Sequence, residues 1–314
     1  MNTLNYPYKP IGSIRALALA LGTSEENLFH LTQDSDSHYY VVRTEIRPDG
    51  STKLTYDVKP KLKHIHEKIS VTLLQKMEYP EYLQGSLKGK CYLSNTRKHT
   101  NQKFLICEDA TKFFPSISKV IISQIWCSFF NFPHEVADYL SELTTFKGSM
   151  VQGCKTSSFL ANLALWEREF KLVTSLKKRH LTYTRYVDDI TISSSRNISK
   201  KEQTKIISDV YSLLRSIGAS PNRKKHDTMG NGKRQSVHRV NVNRATPSFN
   251  KQVRGNIRAA VFNCEKMFLN GSNTHEYRKL YNSAKGRVCM LTRLHPLEGK
   301  KLKSKLQLIK PVRA

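Results

Sequence analysis

Arg185-Tyr186-Val187-Asp188-Asp189-Ile190-Thr191-Ile192-Ser193 sets two adjacent acids between two runs of branched and aromatic residues, Leu181 to Val187 and Ile190 to Ser194. Runs of that composition predict strands, so the segment is expected to be a hairpin with Asp188 and Asp189 at its tip. Adjacent carboxylates repel, and a plain turn has no use for the repulsion. A divalent cation removes it, because Mg2+ is held by one or two carboxylates together with water and substrate phosphates. A third acid, Asp109, follows another apolar run, Phe104-Leu105-Ile106-Cys107-Glu108. Two strand ends can bring three carboxylates to one sheet edge. Two metals about 3.5–4 Å apart would there activate an attacking hydroxyl and stabilise the leaving oxygen of an in-line phosphoryl transfer. On spacing alone, a polar turn that merely contains Asp-Asp competes with this reading.

Around this segment the chain is strongly basic. Its 314 residues include 52 Lys and Arg against 25 Asp and Glu, a formal charge of +27. That excess points to a polyanionic partner. It is concentrated from Arg223 to Ala314, with 22 Lys and Arg against four acids, as expected where one region grips a phosphate backbone and another does the chemistry. The boundary is expected between Arg223 and Phe249, where Gly230, Asn231, Gly232, Pro247 and Asn250 punctuate the chain. The most apolar run, Val120 to Phe132, is interrupted by Ser123, Gln124, Ser128 and Asn131, short of the roughly 20 residues a membrane span needs. Met1 to Pro10 has no apolar core of a signal peptide. A cytoplasmic protein without a membrane partner is expected. Six scattered cysteines with no C-x-x-C pair predict neither a disulfide framework nor a zinc site.

Apolar spacing predicts two short helices in Ile14 to Leu31, a hairpin of Tyr39 to Glu45 and Lys53 to Val58 turning at Arg47-Pro48-Asp49-Gly50, and a helix over Leu62 to Met77. Further helices are expected over Lys119 to Phe132, Ser157 to Leu176 and Lys201 to Ile217, and a strand over Val237 to Val242. Three basic helical segments follow: Val253 to Leu269, Glu276 to Leu294 and Gly299 to Ile309. The class is α+β with a helical tail.

Tyr186-Val187-Asp188-Asp189 within strand-turn-strand resembles the catalytic motif of reverse transcriptases. The ordered set strengthens the resemblance: Asp109-Ala110-Thr111-Lys112-Phe113-Phe114, then Gln152-Gly153 with Thr156-Ser157 and Leu160-Ala161-Asn162-Leu163, then Asn222-Arg223-Lys224-Lys225 after Gly218. Leu17, Leu21-Gly22, Leu28, Tyr39-Tyr40-Val41, Lys53-Leu54-Thr55-Tyr56, Lys59-Pro60 and Leu62-Lys63 look like the compact bacterial retron-type enzymes, which couple to a structured noncoding RNA. The resemblance covers residues 12 to 260. It implies a right-hand polymerase with N-terminal helices and fingers over 1–105, a palm over 106–240 and a basic helical thumb over 241–314. The implied activity is RNA-directed DNA synthesis, which makes single-stranded DNA from dNTPs with two Mg2+ ions, beside a separately encoded effector in antiphage defence. No ribonuclease H domain is expected after the thumb.

The same resemblance assigns roles. Asp109, Asp188 and Asp189 would hold the metals, with the Ala110 backbone carbonyl as a further ligand. Phe114 would be the steric gate against the 2′ hydroxyl, with Phe113 packing inward. Gln152, Gly153 and Lys53 would line the nucleotide pocket, and Lys225 would assist the departing pyrophosphate. Arg185 and Tyr186 would contact primer and backbone. Lys251, Arg254, Arg258, Arg278, Lys279 and Arg287 would track the duplex, and the segment beyond Lys300 would order fully only on RNA. Three departures stand out: Val151 and Cys154-Lys155 flank Gln152-Gly153 where prolines are usual, Val237-His238-Arg239 replaces Val-Thr-Gly, and Val187 replaces Ala. The first two leave open a related defence enzyme outside the retrons, making repetitive or untemplated DNA; the third is a small change in volume. A noncatalytic RNA-binding scaffold is the other alternative.

Overall fold

The computed structural model describes residues 4–46, 50–269 and 274–311. The expected turn residues Arg47, Pro48 and Asp49 lie outside the described residues. Helices α1 (Ile14–Leu21) and α2 (Glu25–Gln33) open the chain. Ser13 and Ser24 cap them, each accepting a backbone N–H three residues on. The hairpin β1 (Tyr39–Ile46) and β2 (Thr52–Val58) follows, then α3 (Pro60–Thr72), with proline in its first turn, and α4 (Tyr92–Arg97). Next come β3 (Phe104–Thr111), α5 (Phe113–Ser116), α6 (Lys119–Gln124), α7 (His134–Thr144), α8 (Ser157–Leu163), α9 (Trp166–Lys178), β4 (Leu181–Tyr186), β5 (Asp189–Ser194) and α10 (Lys200–Arg215). The short strands β6 (Ser220–Pro221), β7 (Asp227–Gly230), β8 (Ser236–Val237) and β9 (Val240–Asn241) precede α11 (Lys251–Leu269), α12 (His275–Thr292) and α13 (Pro296–Leu308). Among the described residues no helix is long and apolar enough to cross a membrane.

The chain forms two compact units, one of Met1–Lys98 with Lys103–Thr228 and one of His99–Gln102 with Met229–Ala314. The first is organised on an antiparallel sheet in the order β4-β5-β3-β6. Its core gathers Leu17 and Leu21 of α1, Ile65 and Ile69 of α3, Leu140 of α7, Leu160 of α8, Ile106 of β3 and Ile190 and Ile192 of β5. Trp126 and Phe130, both buried with ring centroids 4.7 Å apart, fill the same core from the turn after α6.

Several expected boundaries are corrected. The helix over Ser157 to Leu176 is two helices, α8 and α9, broken at Ala164 and Leu165. The helix expected to reach Met77 ends at Thr72 and continues as a single 3-10 turn. Lys119 to Phe132 begins as α6 and widens into a π turn over Ile125–Phe129. β3 runs through Asp109 to Thr111, which puts that acid inside the strand. The strand expected over Val237 to Val242 is a hairpin of β8 and β9. His238 and Arg239 both take positive φ, 50° and 65°, at its two-residue tip, as a type I′ turn requires. α13 is a packed helix past Lys300: Leu302 and Leu306 are buried, and the Tyr281 hydroxyl donates to the Leu306 carbonyl at 3.1 Å.

One core group makes folding pH-dependent. His66 of α3 is fully buried and donates from Nε2 to the Leu143 carbonyl at 2.6 Å. Burial pushes its pKa down to about 4. Between pH 6.5 and 4 the unfolded chain binds a proton there that the native chain refuses. This contribution to stability is therefore complete above about 6.5 and lost as pH falls towards 4, on the order of 3 kcal/mol. Urea unfolding at pH 7 and pH 4.5 is expected to show that loss in the wild type and a smaller one in His66→Gln.

Candidate active site

The register of the sheet assembles the site. β3 pairs with β5 so that Ile106 faces Ile192 and Asp109 faces Asp189, a cross-strand pair within side-chain reach. β4 pairs with β5 out to Tyr186 opposite Asp189, leaving Val187 and Asp188 as a two-residue turn. Three carboxylates therefore share one end of the sheet. Val187 has φ +60°, a left-handed conformation that a β-branched side chain rarely adopts. Such strain persists only where the surroundings impose it.

The sheet continues on the other side of Asp109. The Asn222 N–H donates to the Asp109 carbonyl at 2.7 Å, and Asn222 Nδ2 donates to Asp109 Oδ2 at 3.0 Å. In an alternating antiparallel ladder this turns the Ala110 N–H and C=O the opposite way, towards the β4–β5 hairpin. Lys225 Nζ donates to Asp109 Oδ1 at 3.0 Å. Its neighbour His226 takes the next acid back, donating from Nδ1 to Glu108 Oε1 at 2.6 Å. Consecutive residues of one segment thus grip consecutive acids of β3.

The carboxylates carry the expected electrostatic load. Burial, then Asp109, raises the Asp188 pKa, against the opposing pull of Lys225 and Lys53. Asp189 is pushed up to about 7 by burial, then by Asp188 and Asp109. Three carboxylates and a backbone carbonyl are hard oxygen donors, the chemistry that Mg2+, Mn2+ or Ca2+ takes. Among the described residues no three Asp, Glu, His or Cys side chains already converge on one point, and the Lys225 ammonium neutralises Asp109. The donor set fits a divalent cation that would take over that neutralisation.

The other expected residues divide. Lys53 lies on β2 within electrostatic reach of Asp188. Phe114, half-buried on α5, packs edge-on against Phe113, which is buried. The Gln152 carbonyl accepts the Tyr56 N–H at 2.8 Å, and Gly153 sits at φ +123° with the Tyr56 carbonyl where a Cβ would be, 2.1 Å away. The close approach that demands glycine is therefore made by β2. Tyr186 is half-buried at the end of β4.

Arg185 is corrected. Its side chain is 0% exposed and cannot reach a nucleic-acid backbone. It is paired with Glu169 of α9 by two hydrogen bonds, Nε to Oε1 at 2.6 Å and Nη2 to Oε2 at 2.8 Å. Sequence reasoning missed this partner, as it missed Asn222's grip on Asp109. In the second unit Lys251, Arg258, Lys279 and Arg287 are exposed, and Arg254 and Arg278 are partly so. Arg254 Nε and Arg258 Nη1 donate to Glu298 at 2.7 and 2.6 Å, tying α11 to α13.

Known proteins with related sequences identify the family of the chain. The family described as "Reverse transcriptase (RNA-dependent DNA polymerase)" matches residues 44–246, more than half of the chain. Retron Se72 reverse transcriptase of Salmonella heidelberg (strain 579083-10) is 32% identical over 315 residues, spanning 99% of this chain and 83% of that protein. Retron Ec48 reverse transcriptase of Escherichia coli is 27% identical, over 96% of this chain and 77% of its own. Retron Ec86 reverse transcriptase, also of Escherichia coli, is 23% identical over 80% and 78%.

Proposed function

Since this chain belongs to the reverse transcriptase family, in which its relatives are retron enzymes, we propose that it copies a structured noncoding RNA into single-stranded DNA in the cytoplasm. It does so as the polymerase of a retron that acts in antiphage defence beside a separately encoded effector. The observation that carries the reading is the register that sets Asp109 opposite Asp189 with Asp188 in the adjoining turn. Residues 1–105 are assigned to fingers, 106–240 to the palm and 241–314 to the thumb.

In this reading Asp109, Asp188, Asp189 and the Ala110 carbonyl hold two Mg2+ ions. Bound there, the ions supply activation of the attacking hydroxyl and stabilisation of the leaving oxygen. The chain's own part is positioning and charge. A ribose or primer hydroxyl attacks the α-phosphate of a dNTP in line, and pyrophosphate leaves. Lys225, more than half exposed, is free to leave Asp109 for the departing pyrophosphate. Lys53 offers a cation to the triphosphate from β2. Phe114 stands against the 2′ carbon of the incoming sugar, and the Gln152-Gly153 loop lines its pocket. Lys251, Arg254, Arg258, Arg278, Lys279 and Arg287 contact phosphates of the duplex, without base specificity.

The test is to express the gene with several hundred flanking base pairs and sequence the nucleic acid that copurifies. The wild type is expected to carry a short single-stranded DNA joined to a structured RNA, and the Asp188→Ala, Asp189→Ala double variant only the RNA. Long repetitive DNA in the wild type would keep the chemistry and overturn the retron assignment. The same RNA and no DNA in both, with Mg2+ and dNTPs supplied, would overturn the polymerase.

A further inference from the structure

Among the described residues of the first unit, Arg185 and Glu169 form an ion pair buried on both sides that the reaction scheme leaves without a task. Both side chains are 0% exposed. A buried ion pair is weak support for stability, because well-packed apolar residues usually serve as well. Its geometry here suggests a different purpose. The guanidinium makes three further bonds beyond Glu169. Nη1 donates to the Val187 carbonyl at 3.0 Å and to the Ala161 carbonyl at 3.4 Å, and Nη2 donates to the Asn162 carbonyl at 2.9 Å. Ala161 and Asn162 lie in the last turn of α8, where carbonyls lack helical partners and a cation is favoured. Glu169 is itself fixed by the Tyr183 hydroxyl, which donates to Oε1 at 2.7 Å.

The bond to Val187 is the informative one. Val187 carries the left-handed φ of the turn and immediately precedes Asp188. On its other side stands Gly85, at which a Cβ would lie 2.6 Å from the Val187 nitrogen and from Cγ2. The Gly85 carbonyl accepts from Asn162 Nδ2 at 2.9 Å, and the Gln84 N–H donates to the Arg185 carbonyl at 2.8 Å. The strained residue is thus clamped between a rigid planar fork and a backbone wall, and both are tied to Asn162.

We propose that Arg185 and Glu169 are positioning residues of the polymerase, a buried bracket that imposes the turn at Val187 and thereby places Asp188 and Asp189. The inference rests on the polymerase reading for its consequence in catalysis, and on the hydrogen bonds alone for its consequence in structure. Lysine cannot replace arginine here, because one ammonium on a flexible stem cannot serve Glu169 and the Val187 carbonyl as a planar fork does.

The test uses the full-length protein extending an oligo(dT) primer on poly(rA), with dTTP and Mg2+ varied. Wild-type extension checks the polymerase reading. Arg185→Lys and Glu169→Gln are expected to lower kcat about 100-fold, to leave the dTTP KM within about three-fold, and to raise the Mg2+ concentration for half-maximal rate. Tyr183→Phe removes one hydroxyl from the bracket with no change of shape. Its kcat is expected to fall by about three- to ten-fold at full melting temperature. Amide exchange over residues 185–190, read on the same samples, is expected to quicken in each variant whatever the activity. A Tyr183→Phe protein with wild-type kcat and exchange overturns the proposal. So does an activity loss in the other two that vanishes when kcat is expressed per folded active site.

Discussion

Asp188→Asn is expected to lower nucleotide addition by about 10³-fold while binding of an RNA–DNA duplex stays within about three-fold and the melting temperature does not fall. The substitution keeps the size of the side chain and removes one charge from the turn between β4 and β5. The surviving amide has one oxygen and no charge, so a divalent cation loses much of its hold on that corner of the site. Stability moves the other way, because Asp109, Asp188 and Asp189 repel one another in a buried setting. Removing a like charge relieves the native state, the usual relation between a strained functional site and the stability of its fold. Single-turnover primer extension beside a thermal melt tests both halves. A variant with wild-type rate contradicts the role of Asp188, and one that loses activity only by unfolding contradicts the charge argument.

Gly153→Ala is expected to cost about 2–6 kcal/mol of stability and to reduce primer extension by about 100-fold. At φ +123° an L side chain is strained before any contact is considered. A Cβ there would also lie 2.1 Å from the Tyr56 carbonyl and 2.8 Å from Thr55 Cγ2. The strand has to retreat, which breaks the 2.8 Å bond from the Tyr56 N–H to the Gln152 carbonyl. Lys53 is on the same strand, so a shift of backbone around Tyr56 reaches the cation that acts on Asp188. Denaturant unfolding gives the first number and primer extension by the folded fraction gives the second. An alanine variant with wild-type stability would show that β2 does not press on this loop.

What could be read from the sequence follows physical lines. Three apolar runs ending in or beginning with acids announced β3, β4 and β5, because strand patterning and charge are local properties. The pairing of Asp109 with Asp189 was not local: β3 had to run past its acid to Thr111, and only the register fixes who faces whom. Arg185 was misread because a charged residue beside a catalytic motif in a basic protein suggests a phosphate contact. Its real partner was visible in pattern. Tyr183 and Arg185 share the buried face of β4, and Glu169 sits on α9 among Leu165, Leu172 and Leu176. α7 was passed over although Val136, Ala137, Leu140 and Leu143 are spaced for a helix behind Pro133. The break between α8 and α9 has no glycine or proline to mark it. The tip at His238 and Arg239 likewise lacks the Asn-Gly chemistry that identifies such turns.

Residues 229–314 contain 19 Lys and Arg against three acids. Two of those acids are already engaged, Glu298 by Arg254 and Arg258, and Glu265 by Lys305. Internal pairing cannot balance the surplus, and α11, α12 and α13 meet through an apolar seam while each carries a net positive charge. For such a bundle a polyanion would act as a counterion. Any ligand that binds only the native form shifts the folding equilibrium by mass action. A bound transcript would therefore raise the lifetime of the chain that holds it, and protein made in excess of its RNA would be the fraction most exposed to proteolysis and to capture by unrelated RNA.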